Sequence, residues 1–136
     1  MAEKNKIVHV AGKRKMSIAR ATVQLGKGIV RVNRLHIDAL QPGLARDKMT
    51  EPLIIAGDAS KKVNIDVAVC GGGQMSQAEA VRNAIARGLV AFTNDKELRK
   101  TYLDYDRHLL ISDIRRTEPQ KPCRSAARAG KQTSKR

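Results

Sequence analysis

The last 22 residues of the chain contain no Val, Ile, Leu, Met, Phe, Tyr or Trp, and this limits any folded core to the residues before them. All 31 Val, Ile, Leu and Phe residues lie between Ile7 and Ile114. The final segment carries eight basic side chains and a single acid, Glu118. Such a segment has nothing to bury and repels itself. We therefore predict a globular body over residues 1–114 and an extended basic tail over residues 115–136.

The charge balance of the chain indicates a polyanionic partner. Lys and Arg outnumber Asp and Glu by 27 to 13, which gives a net charge of +14 and a pI near 10.4. A field of this sign attracts nucleic acid but does not determine a fold. The 31 large apolar residues are just under a quarter of the 136, slightly above the level at which disorder is expected. A small core is therefore expected.

Cysteine, histidine and hydropathy patterns argue against metal sites and membranes. Cys70 and Cys123 are too few and too far apart in sequence for a tetrahedral zinc site, and His9, His36 and His108 show no ligand spacing with them. We expect reduced thiols, no metal and no cofactor. No apolar run reaches the length of a membrane span, and the first residues lack the apolar core of a signal peptide. A soluble, cytoplasmic protein is expected.

Alternating apolar and polar residues predict a small, mostly antiparallel sheet. A short strand is expected at residues 7–10, followed by a basic loop at 11–15. Two alternating runs within residues 17–33 flank the Gly-Lys-Gly segment 26–28, a pattern typical of a β-hairpin. The clearest strand is at residues 63–70. Because the alternate positions are polar, only one face of the sheet is expected to be covered.

Three helices are expected on the covered face, which makes the fold class α+β. The first spans residues 44–50 and stops before Pro52, since a proline disfavours helical geometry in the residue before it. The second follows Gly73, with Ser76 and Glu79 at capping-box spacing. A buried stripe is expected at Ala78, Val81, Ile85, Leu89 and Phe92, opposite Glu79, Asn83 and Arg87. The third helix is expected at residues 95–103.

The three glycines Gly71, Gly72 and Gly73 lie between the predicted strand and the second helix, where phosphate-binding loops are found. The phosphate-loop pattern requires Lys followed by Ser or Thr, however, and Gln74 and Met75 follow here. The dinucleotide pattern is also missing. Two roles stay open for the glycines: a tight turn with close backbone packing, or a docking point for an RNA phosphate.

No pattern of catalytic residues is present. Asp104, Asp106 and His108 lie close in sequence, but such a cluster at a helix end is usually solvated or paired with Arg. The sequence has no nucleophile elbow, zinc helix or paired-cysteine motif. We predict that the chain is not an enzyme.

Two basic elements favour RNA as the partner. The run Lys13, Arg14 and Lys15 precedes Arg20 on the polar side of the predicted sheet, and the tail adds eight basic residues that can neutralise phosphates. The chain has only three aromatic residues, whereas modules that read single-stranded bases stack them on exposed aromatic rings. Recognition is therefore expected to be by backbone and shape. A body with a long basic arm suits a large folded RNA.

Three motifs, in order along the chain, resemble a known family. They are Gly12-Lys13-Arg14-Lys15 with Ser17-Ile18-Ala19-Arg20, the stretch from Gly71 to Ala80 with Ala84, Arg87, Gly88 and Leu89, and the terminal Ser134-Lys135-Arg136. Together they are similar to the universal small-subunit ribosomal protein nine. Arg115-Arg116-Thr117-Glu118-Pro119 with Lys121-Pro122-Cys123 is more similar to archaeal and eukaryotic members than to bacterial ones.

The resemblance implies a fold like the second domain of ribosomal protein S5, with a left-handed β-α-β crossover. It also implies a place in the head of the small ribosomal subunit, beside other ribosomal proteins. Lys135 and Arg136 would contact peptidyl-site tRNA. Residues expected to bind small-subunit rRNA are Lys13, Arg14, Lys15, Arg20, Arg82, Arg87, Arg115, Arg116, Lys121, Arg124, Arg128 and Lys131. The alternative is a free nucleic-acid-binding regulator or a DNA-packaging protein, which would not associate with ribosomes.

Overall fold

Five strands form one mixed sheet in the computed structural model, which describes residues 6–134. The strands are β1 (Ile7–Arg14), β2 (Ser17–Leu25), β3 (Val30–Val32), β4 (Leu35–His36) and β5 (Val63–Cys70), in the spatial order β1-β2-β5-β3-β4. The pair β3 and β5 is parallel and the other pairs are antiparallel. The helices are α1 (Gly43–Ala56), α2 (Asp58–Lys61), α3 (Gln74–Thr93) and α4 (Lys96–Tyr105), with 3-10 turns at Ile37–Ala39 and Arg107–Leu109. The predicted α+β class is confirmed.

Strand β5 lies in the middle of the sheet and separates β2 from β3, so the predicted hairpin over residues 17–33 is wrong. The segment joining β2 to β3 passes the start of β5. The side-chain oxygen of Asn64 accepts hydrogen bonds from the backbone N–H groups of Lys27 (2.9 Å) and Ile29 (3.1 Å). Both flanking strands gain ladder hydrogen bonds from β5, and this long-range pairing overrides the local turn pattern.

The N-terminal hairpin joins β1 to β2 instead. Arg14 pairs with Ser17 across a two-residue turn of Lys15 and Met16. The predicted basic loop at residues 11–15 is therefore wrong, because β2 supplies ladder partners for β1 as far as Arg14. The strand predicted at residues 63–70 is confirmed.

Helix α1 continues through Pro52, so the prediction that it ends before this residue is wrong. Proline inside a helix lacks a donor N–H and costs about 3 kcal/mol. Here Pro52 is fully buried, and its carbonyl accepts a 2.7 Å hydrogen bond from the hydroxyl of Tyr102. Burial of the ring and contact with α4 offset the local cost.

Helix α3 lies across the inner face of the sheet, with α1 and the segment after α4 on its other side. The predicted stripe is buried at four positions and half-buried at the last: Ala78, Val81, Ile85, Leu89 and Phe92. The placement of Asn83 on the solvent side is wrong. It is 3% exposed, and its amide donates to the carbonyls of His108 (3.0 Å) and Leu109 (3.1 Å). A helix covered on two sides must bury polar residues that its periodicity assigns to solvent.

The predicted capping box is also wrong. The N-cap of α3 is Gly73, which makes no side-chain capping hydrogen bond, and Ser76 already lies inside the helix. Glu79 is turned toward Arg14 and Lys48. A carboxylate gains more from two cations than from one backbone N–H, because hydrogen bonds between charged groups are the stronger ones.

Close packing brings β1 and α3 together at Gly12. A Cβ atom built on this residue would overlap the carbonyl oxygen of Ala80 and would lie 2.6 Å from the backbone nitrogen of Ala84. Only a residue without a side chain fits there.

The predicted third helix is confirmed as α4. Asp95 is its N-cap and accepts a 2.8 Å hydrogen bond from the N–H of Glu97. The helix runs two residues beyond the predicted end, to Tyr105.

Candidate nucleic-acid interface

The face of the sheet opposite the helices, here called the open face, carries its basic side chains without cover. Cross-strand register sets Arg20 opposite Ala68, and sets Asp66 between Thr22 and Arg31. The neighbouring residues on β2 and β5 point inward and are buried, among them Ala19, Ala21, Val67 and Val69. The period-two alternation of the strands therefore separates an apolar inner face from a polar open face.

Three arginines, Arg20, Arg31 and Arg34, line a shallow depression of about 670 Å³ on the open face, and Asp66 is the only acid among the described residues that line it. All three are exposed. Among residues 6–134, none of them forms an ion pair with a carboxylate. Ala68, with its small side chain, also lines the depression. These guanidinium groups can take phosphate oxygens in pairs.

The turn between β3 and β4 places Arg34 beside Arg31. Asn33 and Arg34 both have positive φ, 49° and 70°, as expected of a two-residue hairpin turn. The side chain of Asn33 bonds both backbone groups of Val69, accepting from its N–H at 2.9 Å and donating to its carbonyl at 3.2 Å. The turn is thereby fixed to β5, and Arg34 with it.

Arg31 and Arg34 are absent from the residues predicted from the sequence. The alternation of Val30, Arg31 and Val32 is a signal that could have placed Arg31 on the same face as Arg20. Arg34 has no comparable signal, because it depends on the turn between β3 and β4.

The predicted run Lys13, Arg14 and Lys15 is divided by the strand. Lys13 is exposed on the open face, and Lys15 lies in the hairpin turn. Arg14 points to the helix side, where its Nε is 2.6 Å from Glu79 Oε2 and its Nη1 is 3.1 Å from Asp113 Oδ2. Successive side chains of a strand point to opposite faces, so three adjacent basic residues do not form one patch.

Arg82 is likewise engaged within the fold, with a side chain 14% exposed. Its Nη1 donates a 2.7 Å hydrogen bond to Asp106 Oδ2, and its Nε lies 2.6 Å from Glu51 Oε2 in an ion pair whose N–H is not aligned with the oxygen. Burial opposes the charge of Arg82, but the hydrogen bond to Asp106 and the field of Glu51 outweigh it and raise the pKa of the guanidinium. Arg82 thus ties α3 to α1 and to the segment after α4.

Arg87 lies on α3 beside the edge strand. It is exposed, and its Nη1 donates a 2.5 Å hydrogen bond to the carbonyl of Ala11 on β1. Part of its donor capacity is used there, and the rest of the guanidinium faces solvent.

The three glycines form a turn packed on the β1–β2 hairpin. Gly71 and Gly72 have φ of 78° and 66°, in the left-handed region that favours glycine. A Cβ at Gly71 would lie 2.5 Å from the carbonyl oxygen of Met16, and one at Gly72 would overlap Ser17 Oγ. Ser17 is buried and donates a 2.8 Å hydrogen bond to the carbonyl of Gly71. These contacts match the packing role among the two that the sequence leaves open.

The tail contains no helix or strand between residues 111 and 134. Arg115 pairs with Asp113 at 2.7 Å, and the Arg116 guanidinium lies 3.6 Å from Met16 Sδ. Arg128 pairs with Glu118 at 2.8 Å within the tail. The basic residues Lys121, Arg124 and Lys131 are exposed. Lys135 and Arg136 lie outside the described residues.

Residues 6–134 were also compared with what a membrane-spanning helix and a metal site require. No helix among them is both long and apolar enough to cross a membrane. No group of three His, Cys, Asp or Glu side chains is arranged as metal ligands would be in this part of the chain.

Comparisons with known proteins agree with the resemblance seen in the sequence. Residues 12–136 match the family model described as ribosomal protein S9/S16. The small ribosomal subunit protein uS9 of Desulfurococcus amylolyticus is 51% identical over 136 residues, which cover 100% of this chain and 97% of that protein. Proteins of the same description from Methanothrix thermoacetophila and Methanococcus maripaludis are 48% and 44% identical, each over 96% of this chain and 99% of the relative. The predicted similarity to archaeal members is confirmed.

Proposed function

The chain belongs to the ribosomal protein S9/S16 family, and on that premise we propose that its open face binds small-subunit rRNA while its tail reaches peptidyl-site tRNA. Membership makes the chain a structural protein of the small ribosomal subunit in the cytoplasm, and not an enzyme. One observation carries the proposal for the body: Arg20, Arg31 and Arg34 share a depression in which the described part of the chain places a single acid, Asp66.

The arginines of the open face are better placed to bind phosphate than Arg14 and Arg82, which were also predicted to bind rRNA. An arginine already paired with a carboxylate must give up that partner before it can bind a phosphate, as Arg14 and Arg82 would have to do. The three arginines of the open face have no carboxylate partner among residues 6–134, so they carry no such cost there. Each phosphate that they neutralise releases counterions, which adds affinity at low salt. We therefore place the rRNA contact of the body on Lys13, Arg20, Arg31 and Arg34.

Backbone recognition fits the shape of the open face. Its strands carry no Phe, Tyr or Trp side chain, since the three aromatic residues, Phe92, Tyr102 and Tyr105, lie on α3 and α4. Without a stacking surface the face cannot read splayed bases. A duplex or a folded backbone, presenting rows of phosphates, is the ligand that suits it.

The proposal for the tail rests on its exposure and charge. Between residues 117 and 134 the side chains of Lys121, Arg124 and Lys131 are exposed and contribute charge without large apolar groups. Such a segment binds where phosphates surround it. Lys135 and Arg136, at the end of this arm, are proposed to contact peptidyl-site tRNA, in keeping with the family resemblance.

Two finer points follow from the same family membership. The crossover from β3 to its parallel neighbour β5, which runs through α1, is proposed to be left-handed. Neighbouring ribosomal proteins of the subunit head are proposed as protein partners.

Reconstitution of small subunits tests the two parts separately. Deleting residues 117–136 leaves the body and Arg115 in place, so we expect normal incorporation but weaker retention of peptidyl-site tRNA. Replacing Arg20, Arg31 and Arg34 with Ala should reduce incorporation itself. Unchanged tRNA affinity in the truncated subunits contradicts the role of the tail. Duplex DNA binding without ribosome association would instead favour the free nucleic-acid-binding regulator.

A further inference from the structure

The chain after α4 is fixed to α3 by polar contacts that lead toward the tail. Asp106 accepts from Arg82 at 2.7 Å. Asn83 then donates to the carbonyls of His108 and Leu109, and the Ser112 hydroxyl lies 3.4 Å from Asn83 Oδ1. The segment is thus held residue by residue along one helix.

Arg14, at the end of β1, contacts the same segment farther along, at Asp113 and Arg115. Its guanidinium spans three groups: Glu79 on α3, the carboxylate of Asp113 and, at 3.3 Å, the carbonyl of Arg115. The side chains of Arg14 and Asp113 are 16% and 10% exposed. An ion pair with so little solvent access is screened less than one on the surface.

Asp113 also orders the backbone just after it. Its Oδ1 accepts from the N–H of Arg115 at 2.9 Å, and both oxygens accept from the Arg115 guanidinium at 2.7–3.1 Å. The Arg115 side chain and N–H hydrogen bonds, together with the charge of Arg14, lower the pKa of Asp113, so the carboxylate stays ionised. One carboxylate therefore joins β1 to the first residues of the tail.

Beyond Arg116 the described polar contacts no longer reach the body. The described hydrogen bonds and ion pairs of residues 117–134 are internal to that segment, such as those between Arg128 and Glu118 and between the Gln132 N–H and the Cys123 carbonyl. Within the described part of the chain, Arg116 is the last residue whose side chain forms a hydrogen bond or ion pair with the body.

We propose that Arg14 is a positioning residue that anchors the root of the tail through Asp113 and so fixes the point from which the tail leaves the body. This inference rests on the proposed function of the tail in reaching tRNA. It also gives Arg14 a role other than the rRNA contact predicted from the sequence. Arginine suits the position because its guanidinium spreads five N–H donors over three nitrogens in a fixed plane, whereas a lysine offers three donors from a single nitrogen.

An anchored root limits where the tail can go. Cys123 lies seven residues beyond Arg116, and a flexible chain of that length has a root-mean-square span of about 15 Å. If the root detaches as far back as Ser112, eleven residues are free and the span rises to about 18 Å. Loss of the anchor should therefore widen the distances sampled by Cys123 by about a quarter.

The two cysteines of the chain allow a direct test in the free, full-length protein. Cys70 on β5 and Cys123 in the tail are both exposed, so spin labels on the two report the distance between body and tail. We expect Asp113→Asn to broaden the distance distribution, and Arg14→Lys to broaden it less. The matched control Asp58→Asn removes an exposed ion pair with Lys61 and should leave the distribution unchanged, because neither residue has a described hydrogen bond or ion pair to residues 106–116.

The outcomes separate this inference from the proposed function. A distribution for Asp113→Asn that matches the wild type, with the protein folded by circular dichroism, overturns the anchor whatever the tail binds. In reconstituted subunits, Asp113→Asn should incorporate normally and retain peptidyl-site tRNA about twofold less well or worse. If the distribution broadens while deletion of residues 117–136 leaves tRNA retention unchanged, the anchor stands and the tRNA role fails.

Discussion

The hydroxyl of Tyr102 on α4 donates a 2.7 Å hydrogen bond to the carbonyl of Pro52, joining two helices through a residue that ordinarily interrupts one. Both residues are fully buried. This contact connects α4, at the outside of the helix layer, to α1. Burial raises the pKa of the Tyr102 hydroxyl well above its usual range.

Tyr102→Phe should lower the free energy of unfolding by about 1 kcal/mol, the usual worth of such a hydrogen bond. The ring is kept, so no cavity forms. Urea unfolding measures the change. Tyr105→Phe is the matched control, because Tyr105 is 60% exposed and should have little effect. Equal effects of the two substitutions would show that the bond to Pro52 contributes nothing.

Alkaline pH should destabilise the wild type through the same hydroxyl. The unfolded chain releases the Tyr102 proton near pH 10, whereas the folded chain retains it. The folded state then binds more protons, so stability is full below about pH 10 and falls as the pH rises above it. Tyr102→Phe should show a shallower fall in thermal midpoint above pH 10. A slope identical to that of the wild type contradicts the assignment.

Acid should weaken the contacts of Glu79. Burial raises the pKa of this carboxyl, but hydrogen bonds from Arg14 and Lys48 outweigh it and lower the pKa. A lowered folded-state pKa gives stability that is present above the unfolded value of about 4.3 and is lost as the pH falls below it. We expect Glu79→Gln to be less stable than the wild type at pH 7 and to show a flatter decline between about pH 5 and pH 3. Urea midpoints across this range measure it.

Replacing Arg20, Arg31 or Arg34 with Ala should weaken binding to an rRNA fragment and reduce its salt dependence. The slope of log affinity against log salt should fall by about 0.9 for each duplex phosphate that the variant no longer neutralises. The control is Arg99→Ala on α4, an exposed arginine on the helix side. If the control and the open-face variants change the slope equally, the open face is not the binding surface.

Gly12→Ala should destabilise the fold by about 3 kcal/mol or more, because overpacking against backbone atoms forces β1 away from α3. The matched control Gly130→Ala places its Cβ in open space and should be close to neutral. Thermal midpoints of the two variants give the comparison. A stable Gly12→Ala protein would mean that β1 and α3 can move apart freely.

The local sequence pattern predicted where single strands and helices lie better than it predicted which strands pair with each other. The strand at residues 63–70 and the helix after Asp95 were predictable because their own residues decide them. The pairing of β2 and β3 with β5 was not, because it depends on hydrogen bonds between segments distant in sequence. Pro52 shows the same limit. The sequence indicates that a proline destabilises a helix, but it does not show the burial and the Tyr102 hydrogen bond that offset this effect.

The candidate interface was predicted in part for a related reason. Residue type placed Arg14, Arg20 and Arg82 in one class of phosphate-binding residues. Geometry divides them, because strand alternation turns Arg14 inward and a helix covered on two sides pairs Arg82 with Glu51 and Asp106. Charge in a sequence indicates the partner, whereas the direction of each side chain decides which charges can reach it.

The central place of β5 has a consequence for the order in which a growing chain can fold. When the chain has emerged as far as Lys62, β1 can pair with β2 and β3 with β4, but the two hairpins have no strand to join them. The sheet becomes continuous only when residues 63–70 emerge, and α3, which covers it, follows directly. The inner face of β2 therefore depends on both for its cover, and its apolar residues stay exposed until residues 63–93 have emerged.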